Sequence, residues 1–238
     1  SPSPGLSDDE VYVGSIARMA FDMSDVEAME VLKGPQGTLY GRNSTAGALN
    51  IITRKPQQEF AAYTTLGYGN YETLDFEGAV NVPLGETAAL RLSGKTIQQG
   101  EGYWESRRLP GATLGDRDLT MGRLQLALAP GESFDLNLKV EGMRSRSEMG
   151  QPEFFGTVDP LTGGTCAPIL AGHIDNTQCT DFLGYTDTDG DPFKGDWARE
   201  GVYDIDNTAV TLTMNADLGG ATLSSVSGYV DFDRKFDI

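Results

Sequence analysis

The segment EVLKGPQGTLYGRNSTAGALNIITRKP, Glu30–Pro56, holds four glycines and two prolines, then an apolar run closed by Arg54, Lys55 and Pro56. Glycine-rich turns between apolar runs often cradle phosphates, but this one has the wrong spacing. A P-loop needs G-x-x-x-x-G-K-[ST], and a dinucleotide fingerprint needs G-x-G-x-x-G. Gly34, Gly37 and Gly41 give G-x-x-G-x-x-x-G, with no Lys-Ser or Lys-Thr following. The residues read instead as a turn-rich, compact piece. Gly34 and Pro35 form a tight turn in which the proline fixes its own φ, while Gly37 and Gly41 relieve backbone crowding. MEVLK and ALNIIT read as short buried strands on either side. Upstream, Ser24 and Glu27 have capping-box spacing, which predicts a short helix starting in SDVEAM.

After Pro56 the pattern changes to long alternating strands. In YETLDFEGAVNV, Leu74, Phe76, Val80 and Val82 alternate with Thr73, Asp75, Glu77 and Asn81. FDLNLKVEGM sets Phe134, Leu136, Leu138 and Val140 against Asp135, Asn137, Lys139 and Glu141. GRLQLAL and TAVTLTMNADL alternate in the same way. Period two marks a strand with one apolar and one polar face. Phe60–Gly69, Ala88–Ile97 and Ala221–Asp233 complete a set of seven, the last changing face near its middle, which predicts a bulge. Many of these strands exceed the roughly 5–6 residues usual in soluble sheets and reach the roughly 9–11 that cross a bilayer at a tilt. The connectors alternate too: 83–86, 130–133 and 219–220 are tight, whereas 99–118 and 147–205 are long. Tight turns at one end and long loops at the other are how outer-membrane barrels are built. Phe60, Tyr68, Tyr71, Tyr103, Trp104, Phe134, Phe232 and Phe236 lie near strand ends, as an interfacial girdle requires. Alternation alone also fits a soluble β-sandwich.

The 238-residue chain carries a formal net charge of −17, which argues against a nucleic-acid surface. Between Ser147 and Ile205, eleven acidic side chains face only Lys194 and Arg199. No apolar run is long enough for a transmembrane helix, and the opening SPSPGLSDDEVYVGS does not read as a leader. Neither point bears on a barrel, whose strands are apolar on one face only. There is no G-x-S-x-G elbow and no H-E-x-x-H, and His173 is the sole histidine, so the chain does not read as an enzyme and no cofactor is expected.

At Val26–Pro56 the residues carry a family resemblance. VEAMEVLKGPQGTLYGRNSTAGALNIITRKP closely resembles the end of the plug domain of TonB-dependent outer-membrane transporters, with Glu30, Gly34, Pro35, Leu39 to Arg42, Gly47, Asn50, Ile51, Lys55 and Pro56 in pattern. The resemblance implies a mainly β protein: the C-terminal part of a partial α+β plug in residues 1–56, then the N-terminal part of an antiparallel transmembrane β-barrel in 57–238. In this family a plug fills a barrel of roughly 22 strands. Glu30, Lys33 and Arg42 are then expected to face the lumen and pair with plug or wall. Gly34, Pro35, Gly37, Tyr40, Gly41, Asn43 and Gly47 are expected to shape the plug. The implied function is uptake of a scarce nutrient, such as a ferric siderophore, cobalamin, haem or a carbohydrate. Its partners would be the inner-membrane TonB complex, a small-molecule or metal-chelate ligand and outer-membrane lipid. The TonB-contacting box, the early plug and the closing strands are expected outside residues 1–238. Within them, the expectation is a curved, open antiparallel sheet with the plug segment against its polar face. A passive porin-like channel and a soluble β-sandwich binding domain are the alternatives.

Cys166 and Cys179 lie in the acidic loop segment. Read alone they fit a disulfide, two free thiols or a metal pair with His173, the last a poor zinc set. The resemblance places them in an oxidising compartment and so implies the disulfide. DTDGDPFKGDWARE begins like an EF-hand loop with Asp187, Asp189 and Asp191. However, Pro192 stands where glycine is required and Ala198 where the bidentate Glu is required. Asp187, Asp189, Asp191 and Asp196 are left as a loose calcium candidate set against the reading of a solvated acidic loop.

Overall fold

The computed structural model describes residues 5–13, 23–35, 47–148, 156–174, 177–187 and 191–237. Four strands form an N-terminal sheet: β1 (Gly5–Asp8), β2 (Val11–Tyr12), β3 (Val26–Lys33) and β4 (Gly47–Thr53), in the order β2-β1-β4-β3. β1 runs parallel to β4, and the other pairs are antiparallel. The large sheet is antiparallel throughout, with β5 (Ala61–Gly69), β6 (Thr73–Pro83), β7 (Ala88–Gln99), β10 (Asp118–Gly131), β11 (Phe134–Ser147), β13 (Val202–Asp217) and β14 (Thr222–Asp237) in chain order across it. Each of the seven alternating segments thus becomes one strand of an open sheet.

Register shows why the alternation exists. Val82, Leu90, Leu126, Leu138 and Leu212 lie directly opposite one another across five strands. Their chain neighbours Asn81, Arg91, Gln125, Lys139 and Thr211 form the matching row on the other face. The first row belongs to a face that leaves Leu92 and Leu124 exposed; every member of the second row is buried. A soluble sandwich would bury the leucines and expose the lysine. This sheet does the reverse, so its dry face is the outside one.

The helix predicted at SDVEAM is a strand. Val26–Lys33 pairs with β4, and Asp25 just before it has φ +51, outside helical geometry. Tertiary contacts to Ser24 and Asp25 override the capping-box signal. β3 is also largely exposed rather than buried, whereas ALNIIT in β4 is buried as expected. The bulge predicted in the last strand is absent: the β13–β14 register runs unbroken from Val202 opposite Asp237 to Asp217 opposite Thr222. The change of face is real nonetheless, because Phe232 turns inward with Tyr203 onto a cluster of Ile97, Leu119, Met121, Met143 and Ile205. Phe232 is therefore not part of a girdle. Tyr71, Tyr103 and Trp104 stack edge-to-face in the loops, while Phe60, Tyr68 and Phe134 are exposed.

At the long-loop end, β8 (Trp104–Ser106), β9 (Thr113–Leu114) and β12 (Lys194–Gly195) make a small sheet that joins the two long loops. Ser106 donates to the Trp197 carbonyl and accepts from the Arg108 and Leu109 amides. Cys166 and Cys179 are disulfide-bonded around the short helix α1 (Ala167–Leu170). Closing such a loop contributes about 3 kcal/mol in the chain-entropy picture.

Candidate functional site at the interface of the two sheets

The N-terminal sheet rests on the polar face of the large sheet through three sets of contacts. The first centres on Asp25. Its carboxylate accepts from Arg91 Nε at 2.7 Å and Arg91 Nη2 at 2.5 Å, a two-pronged grip with the acid side chain fully buried. The Asp25 amide donates to Glu77 at 3.3 Å, and Glu77 is held by the Tyr63 hydroxyl at 2.9 Å and Lys95 at 3.1 Å. Arg123 donates to the Ser24 carbonyl at 2.9 Å and to Glu141 at 3.1 Å. One short bend is thus held by side chains from four strands, β5, β6, β7 and β10, with Glu141 of β11 steadying Arg123.

The second set centres on Lys139, whose side chain is only 1% exposed. Its ammonium lies 2.7 Å from Asp8 Oδ2, 2.8 Å from Asp9 Oδ2 and 3.7 Å from Glu141 Oε2. Asp9 also accepts from the Thr53 amide at 3.1 Å and the Thr53 hydroxyl at 2.6 Å, and pairs with Lys55 at 2.7 Å. Burial alone pushes the Asp9 carboxyl up, but Lys139 and Lys55 outweigh it and bring it down to about 2. Asp8, buried beside both Glu141 and Asp9, is pushed up by that burial despite Lys139.

The third set fixes the connection between the sheets. Gln125 donates to the Arg54 carbonyl at 2.8 Å, and Asn81 binds the backbone of Gln57 and Glu59. Charges buried this deeply require paired, hydrogen-bonded partners, and the Asp25–Arg91, Ser24–Arg123, Asp8–Lys139 and Asp9–Lys139 contacts tie the N-terminal segment to the large sheet.

Residues 4–48 match the family model described as the TonB-dependent Receptor Plug Domain. Over 208 residues, 84% of this chain and 31% of the relative, the sequence is 26% identical to the iron-regulated outer membrane virulence protein of Vibrio cholerae. Over 85 residues, 34% of this chain and 10% of the relative, it is 35% identical to the catecholate siderophore receptor Fiu of Escherichia coli. Residues 4–48 thus carry the plug match, and the chain is similar over most of its length to outer-membrane receptors of this kind. Its fold agrees. The crystal structure of the ferric-catecholate import receptor Fiu of E. coli in its open form superposes with a TM-score of 0.70 at 17% identity, over 99% of this chain and 33% of that one. The ferric yersiniabactin uptake receptor FyuA of Yersinia pestis gives 0.69 at 18%, over 98% and 33%. The chain therefore spans about a third of the length of the proteins it matches.

The N-terminal sheet, whose residues 4–48 carry the plug match, is called the plug sheet below, and the large antiparallel sheet the wall. Of the residues singled out from sequence, Glu30 accepts from Asn50 within the plug at 3.2 Å, and Lys33 pairs across the sheet with Gly47. Gly34 has φ +85 before Pro35. A Cβ at Gly47 would sit 2.4 Å from the Leu32 carbonyl oxygen, so only glycine fits there. Gly37, Tyr40, Gly41, Arg42, Asn43 and Asp189 lie outside the described residues. Asp187 is bound by Arg107 at 3.0 Å, with Asp196 at 3.8 Å from the same guanidinium, and Asp191 caps its own turn at the Phe193 amide. Among the described residues no cluster of acids, cysteines or histidine is placed to hold a metal ion.

Sequence reasoning missed Asp8, Asp9, Asp25 and their wall partners. A signal was present in the wall. Arg91, Arg123 and Lys139 stand mid-strand in the polar row of strands long enough to cross a bilayer, where a cation must face inward and find a counter-charge.

Proposed function

We propose that this chain is the plug-and-wall portion of a receptor that takes up a scarce nutrient, an iron chelate of siderophore type, using energy from the inner-membrane TonB complex. The observation that carries the reading is the charged plug sheet held by Arg91, Arg123 and Lys139 on the inner face of a wall whose outer face is leucine-rich. A passive channel has no use for a plug so held, and a soluble β-sandwich would not bury Lys139 and expose leucines. The names of the relatives and of the structural neighbours support iron chelates over cobalamin, haem or carbohydrate. On this reading the tight-turn end of the sheet faces the periplasm and the joined loops face outward. The plug ends at about Pro56, and Glu30, Lys33, Gly34, Pro35 and Gly47 keep the plug roles expected of them.

The test is uptake of a radiolabelled ferric siderophore panel by cells carrying the full-length receptor, with and without a working TonB complex. Energy-dependent accumulation of one chelate is expected. Equal accumulation in both strains would refute coupled transport.

A further inference from the structure

The plug's two charged attachments are built differently. Asp8 and Val11 pair at the end of the β1–β2 hairpin, leaving Asp9 and Glu10 as a two-residue turn. Both have left-handed backbones, φ +45 and +69. Such turns favour Asn-Gly because side chains resist that conformation, so Asp-Glu here is strained. Contacts hold it in place: Thr53, Lys55 and Lys139 on the Asp9 carboxylate, and the Asp9 amide on the Ile51 carbonyl at 2.9 Å. Beside the turn lies a cavity of about 860 Å³, with Ser7, Glu10 and Tyr12 on the plug side and Ala127, Ala129 and Asn137 on the wall side. The tip therefore has room to move. Asp25 is also left-handed, yet it is enclosed and gripped on both oxygens. Moreover, Glu141 stands 3.7 Å from Lys139 and would remain as its partner if the tip left. Withdrawal of the tip leaves Lys139 sharing that carboxylate with Arg123, from which Glu141 also accepts at 3.1 Å.

We propose that the Asp8–Glu10 tip is the release element of the plug. Under load it leaves Lys139 and turns into the adjacent cavity, while the Ser24–Asp25 grip stays docked. Turn strain favours departure, and the Asp9 contacts set the threshold. This inference rests on the transport reading, because it assigns the order of events within it.

Hydrogen exchange on the full-length receptor in membranes, with and without an energised TonB complex, tests it. Energisation is expected to deprotect segment 5–13, which includes the Asp9 and Val13 amides, while the Arg54 amide, bonded to the Asp25 carbonyl, stays protected. Glu10→Gly relaxes the turn without touching an ion pair and should raise protection of segment 5–13 about tenfold. It should also slow uptake with chelate affinity unchanged. Asp9→Asn, which tolerates the same backbone, should lower protection without energisation. Simultaneous deprotection of both regions, or unchanged protection in Glu10→Gly, would overturn the proposal. Absence of energised uptake in the unsubstituted receptor would count against the transport reading instead, and the resting protection of Glu10→Gly would still report on the strained tip.

Discussion

Arg91 and Asp25 are 66 residues apart in sequence, yet the guanidinium of one closes on both carboxylate oxygens of the other inside the plug–wall interface. Removing one partner of a buried pair leaves the other charge uncompensated, at a cost of about 3–5 kcal/mol. Arg91→Ala should weaken plug docking by about that amount. Arg91→Lys should recover only part of it, since an ammonium cannot supply the planar fork. Asp25→Asn keeps the φ +51 backbone and one acceptor oxygen but leaves the buried Arg91 guanidinium without its counter-charge, so it should cost about as much as Arg91→Ala. Urea-dependent protease sensitivity of the plug in the full-length receptor measures all three.

Docking should also depend on acid in a defined direction. The Asp9 carboxyl is held at about 2, below its ordinary 3.8, so the docked state favours the ionised form. That contribution is complete above about pH 4 and lost as pH falls toward 2. Asp8, raised by burial, acts in the opposite sense: its docked form takes up a proton more readily, so mild acidification favours docking. Protease protection of segment 5–13 should therefore survive to about pH 4 and fall below it, and Asp9→Asn should remove that low-pH step.

How much of this was readable beforehand follows from the range of each interaction. The seven wall strands were legible because alternation is local: Leu126 beside Gln125 already states which side each takes. The turns at Gly34 and Pro35 were legible because their backbone demands are local as well, but the plug itself was legible only through the resemblance that Val26–Pro56 carries. Ser24 and Glu27 misled, because the capping-box signal assumes free neighbours, while Arg123 and Arg91 claim Ser24 and Asp25 from strands far along the chain. Phe232 misled in the same way: its inward place depends on Ile97, Leu119 and Met143. The small sheet joining the long loops, through Glu105 and Lys194, has strands too short to leave a pattern.

At the loop end, Asp116 and Glu148 are each pushed up, first by burial and then by nearby carboxylates, Asp118 and Glu200 for Asp116, Asp116 and Glu200 for Glu148, although backbone amides favour their charged forms. Their charges oppose the folded loop at neutral pH. Glu148→Gln keeps an oxygen for the Gly115 amide, 2.7 Å away, and removes one charge. It should stabilise the loop by about 1 kcal/mol or less at pH 7, with the gain vanishing as pH falls through the raised carboxyl range. Limited proteolysis of the long loops at pH 7 and pH 4 would show this.

Gly47→Ala should be among the most damaging single changes in the plug. Its φ of +150 and the Leu32 carbonyl 2.4 Å from a new Cβ leave the backbone no local escape. Loss of β3–β4 pairing, at about 2 kcal/mol or more, is expected. The readout is exchange of the Leu32 and Lys33 amides.

The central claim is that one face of the large sheet meets lipid and the other meets the plug. Nitroxide labels at Leu126→Cys and Gln125→Cys, adjacent residues on opposite faces, test it in the full-length receptor in bilayers. The label at 126 should be reached by oxygen dissolved in the hydrocarbon and not by water-soluble nickel chelates. The label at 125 should be shielded from oxygen and gain nickel access when the plug is released by urea. Nickel access at 126, or oxygen access at 125 with the plug in place, would contradict the account.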